Sequence, residues 1–372
     1  MSERARYREI FASLRGEILD GKYSASRAFP SSVALAMRFR TTRATIRRAL
    51  DQLRSEHLIA SRKGAGTFVT KRGAMRQLGL IVPGVAYSEF FQPIVTALSG
   101  VCSKSGYGLF VGSAFSEEGE TRARQALALA RDFAAKRVSG VILQPIESLP
   151  NAPRVNMQIL QTFRKAEVPV VLLDSDVVPL PDRSAYDVVG VNNFDAGRRL
   201  AVHLIAAGAR RISFVTMAHP CYSIRNRFAG AQSVVASHGE LMRSAVVLNP
   251  NSSSEVRRFL RAHKPDAILC CCDTFAAYLK GTLEKVGRKV PDDILLAGFD
   301  DVQHATIMSP QLTTAHQPCE RIAELAFKTL MNRIEHPDEP ACEILLNAPL
   351  VVRSSTRRNG NVKCRNDGKE RK

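Results

Sequence analysis

The chain opens with a hydrophobic pattern that is typical of an amphipathic helix. Ile10, Leu14 and Ile18 recur every fourth residue, and Gly21 follows the last of them. Residues four apart lie on one face of a helix, and glycine often ends one, so the pattern predicts a helix over residues 7–19.

Two more helices and a hairpin are predicted next. Pro30 opens a short helix, and Thr41 and Thr42 provide the N-cap of a third helix over residues 43–56. Two short strands follow it, joined by a turn rich in glycine. The apolar positions of the third helix are Ile46, Leu50 and Leu53, and the strands are residues 58–62 and 67–70. Three helices and a thin hairpin predict a winged helix-turn-helix.

Cationic side chains form a stripe on the predicted third helix. Arg43, Arg47 and Arg54 fall on one side, because steps of four and seven residues nearly complete whole turns. Such a stripe is compatible with a solvated face or with DNA binding. In DNA binding, the start of the helix enters the major groove and the hairpin reaches the minor groove or the backbone.

The distribution of charge favours DNA. The net charge is +18, and residues 1–76 hold 17 Lys or Arg against 6 Asp or Glu. Residues 353–372 hold 8 against 2, so the long middle of the chain is nearly neutral. A basic module attached to a neutral body is typical of a protein that binds a polyanion with one part only.

From Gln77 onward, continuous apolar runs alternate with helical stretches. Strands that are buried on both faces need such continuous runs, which predicts an α/β fold with parallel sheets and helices on each side. The length of this region indicates two lobes. The runs begin at Leu78, Tyr107, Val138, Val168, Asp187, Arg210, Asp266 and Asp293.

Polar residues follow several of these predicted strands. The carboxyl ends of parallel strands are where ligands gather, so these side chains are candidates for one binding crevice. Each of them is equally compatible with a helix N-cap. They are Asp174, Asp176, Asn192, Asn193, Asp273, Asp300 and Asp301.

Eight cysteines occur without a CxxC pair or a zinc-finger histidine spacing, which indicates a reducing compartment and predicts no metal. The adjacent Cys270, Cys271 and Cys272 cannot chelate one ion together, because neighbouring strand residues point to opposite faces. The start of the chain has no signal-peptide pattern, and no stretch is apolar enough to cross a membrane. We therefore expect a cytoplasmic protein with no membrane partner and no cofactor.

Residues 29–69 resemble the GntR-type winged helix. The resemblance rests on an LPSxxxLA-like opening, an SRxTVRRAL-like block and a GxGTFV wing. It implies that the recognition helix and the wing contact DNA through Thr42, Arg43, Thr45, Arg47, Lys63, Gly64 and Gly66. Two positions depart from the pattern. Val33 replaces an arginine that touches DNA in many relatives, and Arg40 replaces a turn glycine, at a cost of about 1 kcal/mol if its φ is positive.

The region behind this module resembles the periplasmic-binding-protein-like effector domain of LacI-type regulators. The blocks VGVNNFDAGRRLAVHLIAAGARRISFV and VPDDILLAGFDD carry this likeness. It implies effector contacts at Phe90, Phe91, Asp174, Arg227, Asp273 and Asp300. Arginine and carboxylates suit a sugar, and an aromatic ring suits its apolar face. Cys272 replaces the asparagine usual in this family, so one ligand hydrogen bond is expected to be missing.

The combination of a GntR-type head with a LacI-type effector domain resembles regulators of the arabinose-repressor kind. They divide the chain into a DNA-binding domain (1–70), a linker (71–76), an effector-binding and dimerisation domain (77–355) and a disordered basic tail (356–372). We expect a repressor that binds a double-stranded operator as a homodimer under control of a carbohydrate. The alternatives are a transporter's solute-binding protein and a fusion with an enzyme that uses pyridoxal phosphate. Neither an export signal nor a convincing catalytic lysine supports them, so we expect no enzymatic activity.

Overall fold

The structure is a computed structural model that describes residues 3–19, 21–23, 27–56, 58–62, 65–70, 76–84, 88–116, 118–147, 149–179, 182–237 and 244–358. The chain folds as two compact units. The first comprises Met1–Val189 and Cys319–Ile344, and the second comprises Gly190–Pro318 and Leu345–Lys372. The chain therefore passes between the units at three points.

The N-terminal module has the predicted three helices and hairpin. Its elements are α1 (Glu3–Leu19), α2 (Ser32–Arg38), α3 (Arg43–Ser55), β1 (Ile59–Arg62) and β2 (Gly66–Val69). The two strands pair antiparallel. The periodic apolar residues of α1 and α3 meet in one core, with Ile10, Leu14, Ile18, Ile46 and Leu53 no more than 1% exposed.

Helices and strands alternate through the rest of the chain. In chain order they are β3 (Arg76–Pro83), α4 (Phe91–Lys104), β4 (Tyr107–Ala114), α5 (Gly119–Ala135), β5 (Gly140–Leu143), α6 (Ala152–Lys165), β6 (Val170–Leu173), β7 (Asp187–Val191), α7 (Asn193–Ala206), β8 (Ile212–Thr216), α8 (Tyr222–Ser237), β9 (Val246–Val247), α9 (Ser253–His263), β10 (Ala267–Cys270), α10 (Asp273–Lys285), β11 (Leu295–Asp300), α11 (Gln303–Ile307), β12 (Thr313–His316), α12 (Cys319–Glu335), β13 (Glu343–Leu346), β14 (Leu350–Val351) and a 3₁₀ turn (Ser354–Thr356).

Two six-stranded sheets confirm the predicted α/β fold with parallel sheets. One has the order β13-β7-β6-β5-β3-β4 and the other β14-β12-β11-β10-β8-β9. Strands β5, β6 and β10 are buried at every position, as continuous apolar runs predict. The pairing of β12 with β14 is antiparallel.

Strand order reverses beside β3 in one sheet and beside β8 in the other, because the chain first adds a strand on one side and then continues on the opposite side. Ligands of open α/β sheets bind outside the carboxyl ends of the strands at such reversals. In the second unit the reversal lies between β8 and β10, and the residues that follow β10 are therefore well placed for a ligand.

The C-terminal turn belongs to the second unit. Ser355 is fully buried, and its hydroxyl donates to the carbonyl of Leu296 over 2.6 Å. Thr356, which the sequence places in the tail, is 4% exposed, and its hydroxyl lies 2.8 Å from His203 Nε2. At the other end, Arg76 begins β3 rather than closing the linker. Residues 71–75 and 359–372 lie outside the described residues.

Candidate DNA-binding and effector sites

Helix α3 presents its first turns to solvent. Thr42 is its N-cap, and the Thr42 hydroxyl accepts a hydrogen bond from the backbone N–H of Thr45 over 3.2 Å. Because the apolar face of α3 packs into the core, the opposite face exposes Arg43, Arg47 and Arg48. A capped helix start with exposed cations is suited to phosphates and to base edges in the major groove.

The carboxylates of the N-terminal module are taken by other cations. Four described acids each form an ion pair, and Arg43, Arg47 and Arg48 form none within the described part of the chain. The pairs are Arg6–Glu9, Arg15–Glu56, Lys22–Glu17, Arg38–Glu17 and Arg54–Asp51. The exposed face of α3 therefore keeps its positive charge, whereas Arg54, at the far end of the predicted stripe, is paired.

Glu17 holds α1 against the end of α2. Hydrogen bonds from Arg38 lower the pKa of Glu17 to about 2, and Tyr23 and Lys22 also donate to its carboxylate. A carboxylate that stays ionised keeps Arg38 paired within the N-terminal module. This cluster therefore stabilises the packing of α1 against α2. Arg43, Arg47 and Arg48 of α3 are not part of it.

Thr45, a predicted DNA contact, is buried in the structure. It is only 1% exposed, and its hydroxyl lies 2.9 Å from the hydroxyl of Thr42. The side chain lies under the surface, because position 45 falls on the apolar side of α3. Thr45 therefore supports the N-cap, and the exposed candidates on the helix are Thr42, Arg43 and Arg47.

The wing is a short hairpin with a constrained glycine. Gly66 has φ +103°, a conformation that side-chain-bearing residues rarely adopt, which explains a glycine there. Arg62 stacks over the ring of Phe68 at 4.7 Å and remains exposed. Lys63 and Gly64, the other predicted wing contacts, lie outside the described residues.

In the first unit, two aromatic residues begin α4. The ring centroids of Phe90 and Phe91 are 4.8 Å apart. Phe91 is 8% exposed and packs in the core, whereas Phe90 is partly exposed. Phe90 is therefore the better placed of the two to cover the apolar face of a ligand.

The carboxylates that follow β6 have different roles. Asp176 is buried, and it accepts hydrogen bonds from the backbone N–H groups of Val177 and Ser184 at 2.6 and 3.0 Å. It holds its own loop and does not cap any of the described helices. Asp174 is partly exposed, with φ 69°. It remains a candidate contact.

Arg227 is the centre of a buried polar network in the second unit. It is 5% exposed and donates to Asn193 Oδ1 at 2.8 Å, to the carbonyl of Cys271 at 2.9 Å and to Asp300 Oδ1 at 2.9 Å. Gln317 Nε2 donates to the same Asp300 oxygen over 2.7 Å. The predicted pair of Arg227 and Asp300 is thus brought together beside the end of β10, where the strand order reverses.

Asp273, a predicted effector contact, makes its hydrogen bonds inside the second unit. It is 0% exposed, and its two oxygens accept hydrogen bonds from the Thr314 hydroxyl at 2.8 Å and from the backbone N–H of Val302 at 3.2 Å. Burial, together with the nearby charge of Asp300, raises the pKa of Asp273 well above its ordinary value. Asp273 therefore positions the connection between β11 and α11.

Two buried polar residues of the second unit, Gln317 and Thr216, were not among the residues predicted from the sequence. Gln317 and Thr216 are 3% and 1% exposed, and Gln317 Oε1 and Thr216 Oγ1 have no hydrogen-bond partner among the described residues. Buried polar atoms normally have partners, so such atoms at the ends of strands indicate a place for a polar ligand. Thr216 is the last residue of β8, and Gln317 directly follows β12. A polar residue at the end of a strand is the sequence signal that could have identified them.

Comparisons with known proteins agree with this geometry. Residues 6–69 match the model of the bacterial regulatory proteins of the gntR family, and residues 201–356 match that of the periplasmic binding protein-like domain. The chain therefore joins a GntR-type winged helix-turn-helix to a periplasmic-binding-protein-like domain of the kind found in LacI-type regulators.

Similar full-length proteins are named as repressors or regulators. The arabinose metabolism transcriptional repressor of Geobacillus stearothermophilus is 24% identical over 95% of this chain and 98% of its own length. The HTH-type transcriptional repressor PurR of Mannheimia succiniciproducens is 26% identical over 77% of this chain and 83% of its own. The solved complex of the transcriptional regulator CelR with cellobiose has a TM-score of 0.64 at 22% identity, and covers 93% of this chain and 98% of that one.

Two positions at which the chain departs from the GntR-type and LacI-type patterns have visible effects. Arg40 has φ 46°, so a side chain occupies the left-handed turn where glycine is usual. Cys272 is the N-cap of α10 and makes no side-chain cap hydrogen bond, unlike Asn192, which caps α7 by accepting from the backbone N–H of Asp195 at 2.9 Å. The cysteine therefore removes an acceptor at the end of β10.

Among the described residues of this regulator, none of the helices combines the length and apolar character that a membrane crossing requires.

Proposed function

We propose that this protein is a transcriptional repressor that binds a specific operator through α3 and the wing. Its affinity for the operator changes when a small molecule binds. The observation that carries the proposal is the capped start of α3, where Arg43 and Arg47 are exposed without an acidic partner in the described structure. Uncompensated cations at a helix start favour contact with phosphates and base edges.

Repression by a homodimer is the form of regulation we propose. The named relatives are repressors, and two heads held together would occupy two half-sites of a two-fold related operator. Residues 1–70 serve as the DNA-binding domain, 71–75 as the linker and 76 to at least 356 as the effector domain. We expect such a protein to act in the cytoplasm and to have no enzymatic activity.

A carbohydrate is the class of effector that the second unit favours. Arg227 and Asp300 supply a donor and an acceptor side by side, and the buried oxygens of Gln317 and Thr216 suit ligand hydroxyls. Phe90, Phe91 and Asp174 of the first unit remain proposed contacts, with Asp273 in a positioning role. One relative is named for arabinose metabolism, and one similar structure holds cellobiose.

Changing Arg43 and Arg47 together to Ala tests the DNA site. Both side chains are exposed, so the change removes two cations from α3 without opening the core. In the presence of excess unlabelled duplex of scrambled sequence, we expect gel shifts on a duplex from the protein's own promoter region to disappear, while the melting temperature and effector binding stay as in the wild type.

The matched control for this test is the double variant Arg131→Ala/Arg154→Ala. It removes the same charge from exposed positions on α5 and α6. We expect the control to shift the promoter duplex as the wild type does. Equal binding by the α3 variant and the wild type would show that α3 is not the DNA contact.

A further inference from the structure

Cations gather at the amino-terminal edge of the sheet in the second unit. Strands β8, β10 and β11 are parallel neighbours, with Ala267 in register with both Ile212 and Leu295. Residues that precede these three strands therefore lie side by side along one edge, at the end of the sheet opposite to Arg227 and Asp300.

We name this surface the amino-edge patch, and it comprises Arg210, Arg211, Lys264, Arg288, Lys289 and Arg358. All six residues are exposed. Contacts through Asp266 bring three of them together, namely Arg210, Arg211 and Arg358. The carboxylate of Asp266 accepts from the backbone N–H groups of Arg210 and Arg211, and its carbonyl accepts from Arg358 Nη2 at 3.3 Å and from the backbone N–H of Leu295 at 2.9 Å.

The acids near the patch do not neutralise it. Asp266 uses its carboxylate on backbone N–H groups, and Asp293 likewise accepts from the backbone N–H of Lys289 at 2.8 Å. Glu284 is paired with Lys280, and Asp292 is the remaining exposed acid of the turn before β11. None of the six patch cations forms an ion pair with a described residue, so the patch is net positive.

We propose that the amino-edge patch binds the phosphates of duplex DNA without regard to sequence. Cations from four separate segments of the chain form one exposed surface, which suits a spread of phosphates better than a single small anion. The chain also continues from Arg358 into a basic stretch. The cations of that stretch are Lys363, Arg365, Lys369, Arg371 and Lys372.

This surface lies in the second unit, whereas α3 and the wing lie in the first. The inference rests on the proposed function only in its choice of DNA as the polyanion. It gives the effector domain a phosphate contact of its own, so that sequence-independent affinity for DNA persists when the operator-reading helix is disabled.

The test neutralises the patch in the full chain. The variant Arg210→Gln/Arg211→Gln/Arg288→Gln/Lys289→Gln is made in the Arg43→Ala/Arg47→Ala background, which removes the proposed operator contacts. The matched control, in the same background, has Gln at four exposed cations of the first unit. These are Lys104, Arg131, Arg154 and Arg164.

Binding of a labelled duplex of scrambled sequence is measured by anisotropy over a series of salt concentrations. Each lost phosphate contact lowers the slope of log affinity against log salt by about 0.9, so we expect the patch variant to have a slope about 2 to 4 smaller than the control. Melting curves of both variants establish that each is folded.

Equal slopes and equal affinities in the patch variant and the control would overturn the proposal. It would also be overturned if the patch variant lost affinity for polyglutamate and kept its affinity for the duplex, since the partner would then be an acidic protein. Neither outcome bears on the operator, because the wild type's binding to its promoter duplex is measured separately.

Discussion

At the scale of single residues, Arg227 connects three elements of the second unit by hydrogen bonds. It donates to acceptors that stand 34, 44 and 73 positions away in the sequence. A guanidinium surrounded by acceptors from α7, the end of β10 and the end of β11 fixes these elements relative to one another within the second unit. Arg227 is therefore both a proposed effector contact and a structural residue.

Arg227→Ala is expected to lower the free energy of unfolding by about 3–5 kcal/mol, because Asp300 is left buried without its charged partner. The side chains of Arg227 and Asp300 are 5% and 12% exposed. Urea unfolding measures the change. The control is Arg198→Ala, whose ion pair with Asp195 is on the surface and is worth about 0–1 kcal/mol. Equal losses in the two variants would contradict the structural role of Arg227.

His203 makes the stability of the second unit depend on pH. Burial, together with the positive charge of Arg357, lowers the pKa of His203 below its ordinary value. At His203 the unfolded chain then binds a proton more readily than the folded chain. The contribution of His203 to the free energy of unfolding is therefore fully present above about pH 6.5 and is lost as the pH falls below it. We expect the melting temperature of the wild type to fall between pH 7.5 and 5.5.

The control for that prediction compares His203→Asn with His336→Asn, an exposed position. The variant at position 203 should show a shallower dependence of melting temperature on pH, and the variant at position 336 should follow the wild type. A wild-type slope that survives in His203→Asn would assign the dependence to another group.

At the scale of elements, two glycines set the distance between α7 and α8. A Cβ added at Gly197 would lie 1.9 Å from the carbonyl oxygen of Arg227, and one added at Gly230 would lie 1.9 Å from that of Phe194. Only glycine allows the two backbones to approach so closely. The contact places Arg227 beside Asn193, which lies on the first turn of α7.

Gly197→Ala should lower the free energy of unfolding by about 3 kcal/mol, because the backbones of α7 and α8 must move apart. Gly281 of α10 is a matched control, since nothing lies within 4 Å of an added Cβ there. Gly281→Ala should raise stability by about 0.5–1 kcal/mol, as alanine favours helix interiors. Denaturant unfolding measures both changes, and a neutral effect at Gly197 would show that the helices separate at little cost.

The elements differ in how well the sequence predicts them. The bounds of α3 are predicted to within a residue, because its N-cap and its apolar spacing are local signals. The strands β9, β12, β13 and β14 were missed: β9 and β14 have two residues each, β12 is the polar segment Thr313–His316, and β13 lies at the edge of its sheet. The hydrogen bonds between Arg227 and its partners were also missed, because contacts across many residues leave no local pattern.

At the scale of the whole molecule, the charge is divided as the proposed task requires. Residues 1–76 are strongly basic and the middle of the chain is nearly neutral, which matches a GntR-type head that binds a polyanion and a LacI-type domain that binds a neutral ligand. The composition indicated this division before any fold was known. It could not separate the cations of α3 from those engaged in ion pairs, such as Arg38 and Arg54.

The central claim is that one chain couples operator binding to a sugar. The most direct test is an anisotropy titration of the full chain onto a duplex from its own promoter, with and without the sugar that most raises its melting temperature. We predict saturable binding whose affinity changes about 5- to 150-fold with the sugar, which corresponds to about 1–3 kcal/mol of coupling. Identical titration curves at a sugar concentration that saturates the protein, or no binding to the duplex at modest ionic strength, would contradict the account.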